Sequence, residues 1–362
     1  MTQEFITRSN EAKPTRSVGH FDRRENLEYL LEHHRPSTPE VATLEQYKGW
    51  NAARRREFDI VRSDRIAGSI VVETPALRQL AVEYRRASLV AGRAIGRTGL
   101  LLSGPPTAGK TTAAFQTMVY AFRRHQERFP DWKERGDVPV VYIELPPNCN
   151  GKSLMGRLLH FFGAPVLDRV TLEQRTAIVT DLLARSNTSL IVVDETQNIL
   201  RASGQFEAAQ SLKNLMNNVK AVPLYVGINL EGSAFTNDEL GAQFASRCSL
   251  VTLNRINLRA KGAKPQWGGL IAAFERQYAL LNHAEGVLLP HAAYLWSRTR
   301  GSISALSRLL STAALDLIDA GDPDGETITK EQLDLIKLDL TTERELDLAN
   351  DRTSPKENQN AA

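Results

Sequence analysis

Nine residues, Gly104, Pro105, Pro106, Thr107, Ala108, Gly109, Lys110, Thr111 and Thr112, follow directly on the apolar run Gly99-Leu-Leu-Leu-Ser103. They open a helical run, Thr111–Gln126. The segment 104–111 fits G-x-x-x-x-G-K-[ST] between a strand and a helix, which commits this part of the chain to an α/β layer structure. The spacing has a mechanical reason. Gly104 and Gly109 let the backbone curl so that successive N–H groups point inward at a β-phosphate. A helix starting near Lys110 adds its positive N-terminal end. Lys110 suits the β- and γ-phosphates as a point charge, and the Thr111 hydroxyl suits Mg2+. A plain Gly-rich turn would not require the strand before and the helix after, so a nucleoside triphosphate is the expected ligand.

Length and composition set outer limits. The 362 residues suit two domains, or one large domain with a lid, and 42% hydrophobic residues are ample for a core. A formal net charge of +3 is too small to imply nucleic acid by itself. Cys149 and Cys248 lack a metal-type spacing, and the seven histidines show no H-E-x-x-H. The adjacent His33 and His34 have no cysteine nearby, so zinc is not expected. Met1–Arg8 lacks an apolar signal core, and no run approaches the ~18 apolar residues that span a bilayer. The expectation is a cytoplasmic protein without a membrane partner.

Along the chain, residues 1–70 are a polar N-terminal extension of unassigned role. It holds a helical patch at Arg24–His34, with Leu27, Leu30 and Leu31 on one side, and the triplet Arg54-Arg55-Arg56. Asp59–Val72 reads as extended. Thr74 and Pro75 are suited to cap and start a helix from Ala76 to about Ile95. That helix sets Arg78, Arg85, Arg86 and Arg93 against the single acid Glu83, as either a solvated basic face or a DNA or partner face. Strand and helix then alternate: strand Val138–Glu144, helix Ser153–Phe162, helix Leu172–Ala184 with a capping box from Thr171 and Gln174, strand Ser189–Val193, helix Gln205–Asn218, strand Val222–Gly227. Continuous apolar strands alternating with helices predict a parallel sheet covered on both faces. From Trp267 the pattern is helical only, at Leu270–Leu281, Pro290–Arg298 and Ile303–Ala320. The expected division is a core over 71–256, a helical lid over 257–339 and a polar mobile tail over 340–362.

Ser189-Leu-Ile-Val-Val ends in Asp194 and Glu195, which a parallel strand delivers to the sheet edge beside the phosphate loop. Asp194 is expected to hold Mg2+ through its water shell and Glu195 to polarise an attacking water. Tyr225-Val-Gly-Ile-Asn229 ends in an amide placed to orient the same water. Gln243-Phe-Ala-Ser-Arg247 sets an arginine after a helix and before the apolar run Ser249–Leu253. Arg247 is either a finger supplied in trans to a neighbouring subunit or an ordinary ion-pair residue.

In this order, and with a helical lid, these motifs resemble an AAA+ ATPase, and within that group the TniB/TnsC-type transposition ATPases. The narrower resemblance rests on Pro139-Val-Val-Tyr-Ile-Glu-Leu-Pro-Pro147, Lys152 with Leu154, Val193-Asp-Glu-Thr-Gln197, Val226-Gly227 with Glu231, Gln243–Arg247, Arg300-Gly-Ser-Ile-Ser-Ala-Leu306 and Ile328-Thr329. It covers roughly residues 75 to 335. One departure is Ser304, which stands where such lids often carry a second-sensor arginine, leaving Arg300 or Arg308 as substitutes. The resemblance implies an ATP hydrolase, with ATP and Mg2+ bound between subunits of a ring or helical filament on duplex DNA. It further implies that the homo-oligomer recruits a transposase and so regulates or targets transposition. Lys152, Arg157, Arg169 and Thr171 are the residues it offers for DNA, through sequence-independent phosphate contacts. A helicase-loader-like ATPase shares the same core. A P-loop kinase for a small metabolite would need neither Glu195, Arg247 nor the lid, and a nucleotide switch without turnover would not need Glu195.

Overall fold

A computed structural model describes residues 21–34, 40–68, 70–93, 98–165, 169–199, 205–232, 246–339 and 342–344. Five short strands form one parallel sheet in the order β2-β3-β4-β1-β5, with β1 Gly99–Ser103, β2 Val140–Glu144, β3 Leu190–Asp194, β4 Val222–Gly227 and β5 Cys248–Thr252. The middle strands β1, β3 and β4 are buried at every residue, which is why their sequences are apolar without alternation. The fold class is the expected α/β one, a parallel sheet flanked by helices. Helices α4 (Pro75–Val90) and α5 (Lys110–Arg128) pack on one another and on the sheet, while α6 (Gly151–Phe161), α7 (Leu172–Arg185) and α8 (Gln205–Asn218) form a second group.

A separate apolar cluster lies in the C-terminal helices α9 (Ala263–Tyr278), α10 (Ala292–Thr299), α11 (Ile303–Ala320) and α12 (Lys330–Leu335), centred on Trp267, Ile271, Phe274, Leu306 and Leu310. Trp296 Nε1 ties α10 to the end of the sheet by donating to the Ile256 carbonyl at 2.6 Å. The N-terminal residues are divided between the two cores. Helix α1 (Arg24–His33) buries Leu27 and Leu31 in the sheet cluster, and Phe21 stacks on Phe115 of α5 at 5.6 Å between ring centroids. Helix α3 (Ala52–Ala67) instead packs on α11, and its Phe58 joins Tyr47 of α2 (Leu44–Gly49) and Leu281 in a small cluster of their own.

Helix α3 overturns the extended reading of Asp59–Val72 as far as Ala67; residues 70–72 lie outside any helix. Asn51 caps it by accepting from Arg54 N at 2.9 Å, and Phe58, Arg62 and Ile66 are its buried residues. That four-residue spacing is one helical stripe, and a buried arginine within it disguises the apolar period. Arg62 is 4% exposed and pairs bidentately with Glu326, which is 2% exposed, at 2.7 and 2.5 Å. Arg62 Nε also donates to Asp59 at 3.0 Å, and Glu326 accepts from Leu281 N at 2.9 Å. Other boundaries shift by a few residues. Helix α6 starts earlier because Asn150 caps it through Ser153 N, and α4 ends at Val90, with 94–97 outside the described residues. The caps read for Thr74 and Thr171 are present, the second as a full capping box. Among the described residues no helix is long and apolar enough to cross a membrane.

Two predictions follow from these buried polar groups. Arg62→Ala leaves the Glu326 carboxylate buried and unpaired, a loss of about 3–5 kcal/mol. Denaturant unfolding followed by tryptophan fluorescence reads it, and the apolar double variant Arg62→Met with Glu326→Leu should recover most of the loss. An Arg62→Ala midpoint equal to that of the parent would remove the pair from the stability of this half.

The second concerns acid. Burial holds His125 and His283 below the ordinary histidine value of 6.5, against the opposing pull of Asp137 and Glu275 respectively. The His283 ring is held neutral, since Ile328 N donates to Nδ1 at 3.2 Å and Nε2 therefore carries the proton given to Glu275 at 3.1 Å. A depressed folded-state pKa contributes stability that is complete above the unfolded value and is lost as the pH falls through the folded one. Tm should therefore fall below about pH 6.5, and less steeply for a variant carrying His125→Gln with His283→Gln. Parallel Tm profiles for the two proteins would exclude these histidines as the cause.

Candidate functional site

The parallel register brings the ends of β1, β3 and β4 to one edge, where Ser103 pairs with Gly227 and Glu144 with Asp194. The loop 104–109 leaves β1 at this edge and runs into α5. Gly104 is packed so closely that a Cβ would lie 2.7 Å from the Leu253 carbonyl oxygen, and Gly109 takes the left-handed φ of 84° at the cap of α5. Thr107 also has positive φ, at 59°, a strained choice for a β-branched residue. Lys110 Nζ folds back onto the carbonyls of Gly104 and Pro105 at 3.0 and 2.8 Å. Partial burial pushes its ammonium below the usual lysine range, opposed by the charges of Asp194 and Glu195. Thr111 and Thr112 are exposed in the first turn of α5.

Asp194 is buried, and both its oxygens are engaged: Oδ1 accepts from Glu195 N at 2.8 Å and Oδ2 from the Tyr142 hydroxyl at 3.0 Å. Burial and this carboxylate push the Tyr142 phenol far up, so it remains a donor. Glu195 is half-buried in left-handed backbone, φ 55°, and its carboxylate accepts from Gln197 Nε2 at 2.5 Å. Asn229 is exposed, also left-handed at φ 51°, in the turn after β4. That turn is fixed to the phosphate loop, because Leu230 N donates to Ser103 Oγ at 3.0 Å, Ser103 bonds to Glu231, and Gly104 N donates to the Gly227 carbonyl at 3.3 Å. The structure thus gathers Gly104–Thr112, Asp194, Glu195 and Asn229 at one sheet edge.

Arg247 is not among them. Its carbonyl accepts from Gly99 N at the start of β1, and β5 begins at the next residue. It therefore lies a strand length, five residues or roughly 16 Å, from the edge that carries the phosphate loop. Its guanidinium rests on Asn217 of α8 at 3.2 Å. Gln243, Phe244 and Ala245 lie outside the described residues.

A cavity of about 350 Å³ opens beside the loop, lined among others by Val72, Thr74, Leu77, Gly109, Thr112 and Arg308 of α11. Ser302, the cap of α11, donates to the Thr107 carbonyl at 3.3 Å, so the helical half touches the loop directly. Of the two arginines considered for the second-sensor place, Arg308 faces the cavity, while Arg300 lies over the Trp296 ring at 5.7 Å.

The four residues offered for DNA divide. Lys152 and Thr171 are exposed at the first turns of α6 and α7, which are held side by side by Arg175 donating to the Lys152 carbonyl at 3.3 Å. Arg169 is exposed two residues before the cap of α7, and Arg157 is half-buried further along α6. Tyr142, Gln197 and Glu231 stand in the stretches that carry the family resemblance, but pattern alone gave them no role. Only packing shows that each bonds a site residue or the loop's own strand.

A family model described as "Bacterial TniB protein" matches residues 72–258. Among solved structures the chain is similar to the ORC2 protein of Aeropyrum pernix in its ADPNP–ADP complexes, at 16% identity and a TM-score of 0.50, covering 79% of this chain and 69% of that one. It is similar to the ORC1 protein of Aeropyrum pernix in complex with DNA, at 16% identity and a TM-score of 0.50, covering 75% of this chain and 64% of that one. The chain therefore spans less than two thirds of the ORC1 chain. No curated protein matches. At this identity the likeness is one of fold alone.

Proposed function

The chain belongs to the bacterial TniB family, and from that premise we propose that it hydrolyses ATP as a homo-oligomer assembled on duplex DNA and targets transposition by recruiting a transposase. The observation that carries this reading is the separation of the parts: loop, acids and amide at one sheet edge, and Arg247 at the other. A single subunit holds all but the arginine, so a complete site needs a second copy.

The adenosine takes the cavity between Thr74, Leu77 and Arg308, whose volume of about 350 Å³ falls within the range of small-ligand sites. The phosphates lie over the loop N–H groups, and Lys110 exchanges the carbonyls of Gly104 and Pro105 for phosphate oxygens. The exposed Thr111 hydroxyl and the Asp194 carboxylate are hard oxygen donors of the kind Mg2+ accepts. Thr111 would hold it directly and Asp194 through water, and the ion would supply charge neutralisation at the phosphates. Glu195 takes the proton of the attacking water, Asn229 orients that water, and Arg247 of the adjacent copy meets the developing charge. The nucleotide states in the ORC2 complexes support the ligand, and the DNA in the ORC1 complex supports the partner. For the duplex, the paired N-termini of α6 and α7 offer two positive helix ends beside Lys152, with Thr171 and Arg169 adjacent and Arg157 further along.

Turnover provides the direct test. Lys110→Ala should lose ATP binding, and Glu195→Gln should keep it while hydrolysis drops by about 100-fold or more. Hydrolysis per subunit should rise with protein concentration and with DNA. Mixing Arg247→Ala with Lys110→Ala protein should restore part of the activity, since one mixed interface keeps both functional halves. Absence of both the concentration dependence and the complementation would make Arg247 structural.

The duplex reading is tested by binding at several salt concentrations with a non-hydrolysable ATP analogue present. Lys152→Glu should weaken binding to all sequences alike and flatten the salt dependence, with ATP affinity unchanged. Unchanged binding would move the contact to the arginines of α4, Arg78, Arg85 and Arg86, and no binding by the parent protein under any nucleotide condition would sink the transposition reading.

A further inference from the structure

Gln197 is 6% exposed and sits on the single helical turn Thr196–Asn198 that follows the two acids of β3. Its carboxamide is used at both ends. Nε2 donates to the Glu195 carboxylate at 2.5 Å, and Oε1 accepts from Ile228 N at 3.0 Å. The orientation of the amide is not ambiguous, because a carboxylate only accepts and a backbone N–H only donates. The space is made for it: a Cβ at Gly227 would lie 2.6 Å from Gln197 Oε1, so only glycine there lets the amide reach the β4 turn. The turn it reaches carries Asn229 and is bonded through Leu230 N to Ser103, the last residue before the phosphate loop. Hydrogen bonds through Gln197 therefore link the Glu195 carboxylate to the backbone of the Asn229 turn, and that turn is in turn bonded to Ser103 at the head of the loop.

We propose that Gln197 is a positioning residue that couples the Asn229 turn to the orientation of the Glu195 carboxylate. This rests on the reading of Glu195 as the group that activates water. Displacement of the Ile228–Asn229 backbone by a bound γ-phosphate pulls on the amide oxygen, and the amide nitrogen carries the movement to the carboxylate. The link is short and made of two bonds to one rigid plane whose side chain is buried, so little is lost to side-chain freedom along the way. The competing explanation for a buried glutamine is a structural clamp between two loops, which would stabilise the site without regard to chemistry.

The two differ in what they move. Gln197→Met keeps the length and apolar packing but removes both bonds, and Gln197→Glu keeps an acceptor for Ile228 N but replaces the donor to Glu195 by a like charge. Under coupling, both variants hold ATP within about twofold of the parent and lose kcat by about 10–100-fold, the size of effect seen when a group that orients a reacting residue is removed. In a Glu195→Gln background, Gln197→Met should change the residual rate no further, since the two residues act as a unit. Gly227→Ala supplies an independent route, displacing the amide from behind with Gln197 intact, and should repeat the kcat loss. A kcat within twofold of the parent for both Gln197 variants, alongside a Glu195→Gln protein that is inactive, overturns the coupling and leaves the ATPase reading in place. Equal loss of ATP affinity and kcat assigns Gln197 to structure and overturns it as well. A Glu195→Gln protein that hydrolyses ATP like the parent overturns the Glu195 reading and this inference together.

Discussion

Parallel pairing of β1 with β4 on one side and β5 on the other fixes the phosphate loop in space. The loop must leave several backbone N–H groups facing open space, which a turn cannot do unless both of its ends are held by other bonds. Those bonds are present here. Ser103 and Gly104 at the strand end are tied to Leu230, Glu231, Gly227 and Leu253, and Ala113 N closes the first turn of α5 on the Gly109 carbonyl. The acids of β3 arrive beside the loop because the same sheet carries them, with Leu145 N on the Asp194 carbonyl and Asn198 on the Leu145 carbonyl fixing the turn behind them.

The helical half is held to this platform by its own polar contacts as well as by apolar packing. Ser302 reaches the loop at Thr107, and Trp296 reaches the end of the β5 segment at Ile256. Its interior is stapled by two buried carboxylates, Glu326 with Arg62 and Glu275 with His283 and the backbone of Gly286 and Leu288. Because Arg62 belongs to α3, residues that precede the sheet in the chain complete the core of helices that follow it. Residues Ile66, Val72 and Thr74 then continue from α3 into the wall of the cavity beside the loop.

Much of the functional edge was legible without coordinates. A phosphate loop between strand and helix, and two acids closing an apolar strand, are local patterns whose geometry follows from the period of the backbone alone. Capping boxes at Thr171 and N-cap chemistry at Thr74 are equally local. The failure at Asp59–Val72 has the opposite cause. Arg62 occupies a core position that only its pairing with Glu326, distant in sequence, makes tolerable, so the buried stripe did not look apolar.

The sequence by itself determined the α/β class, the loop, the position of its partners along the chain and the helical nature of the C-terminal part, because each is written in short-range spacing. Tertiary structure alone decided which residues meet. It placed Arg247 just before β5, a strand length from the loop of its own chain, and Arg308 rather than Arg300 at the cavity. It also placed Gln197 between Glu195 and the Asn229 turn. Those juxtapositions depend on strand order and on helix packing between residues far apart in the chain, and one-dimensional spacing carries no record of either.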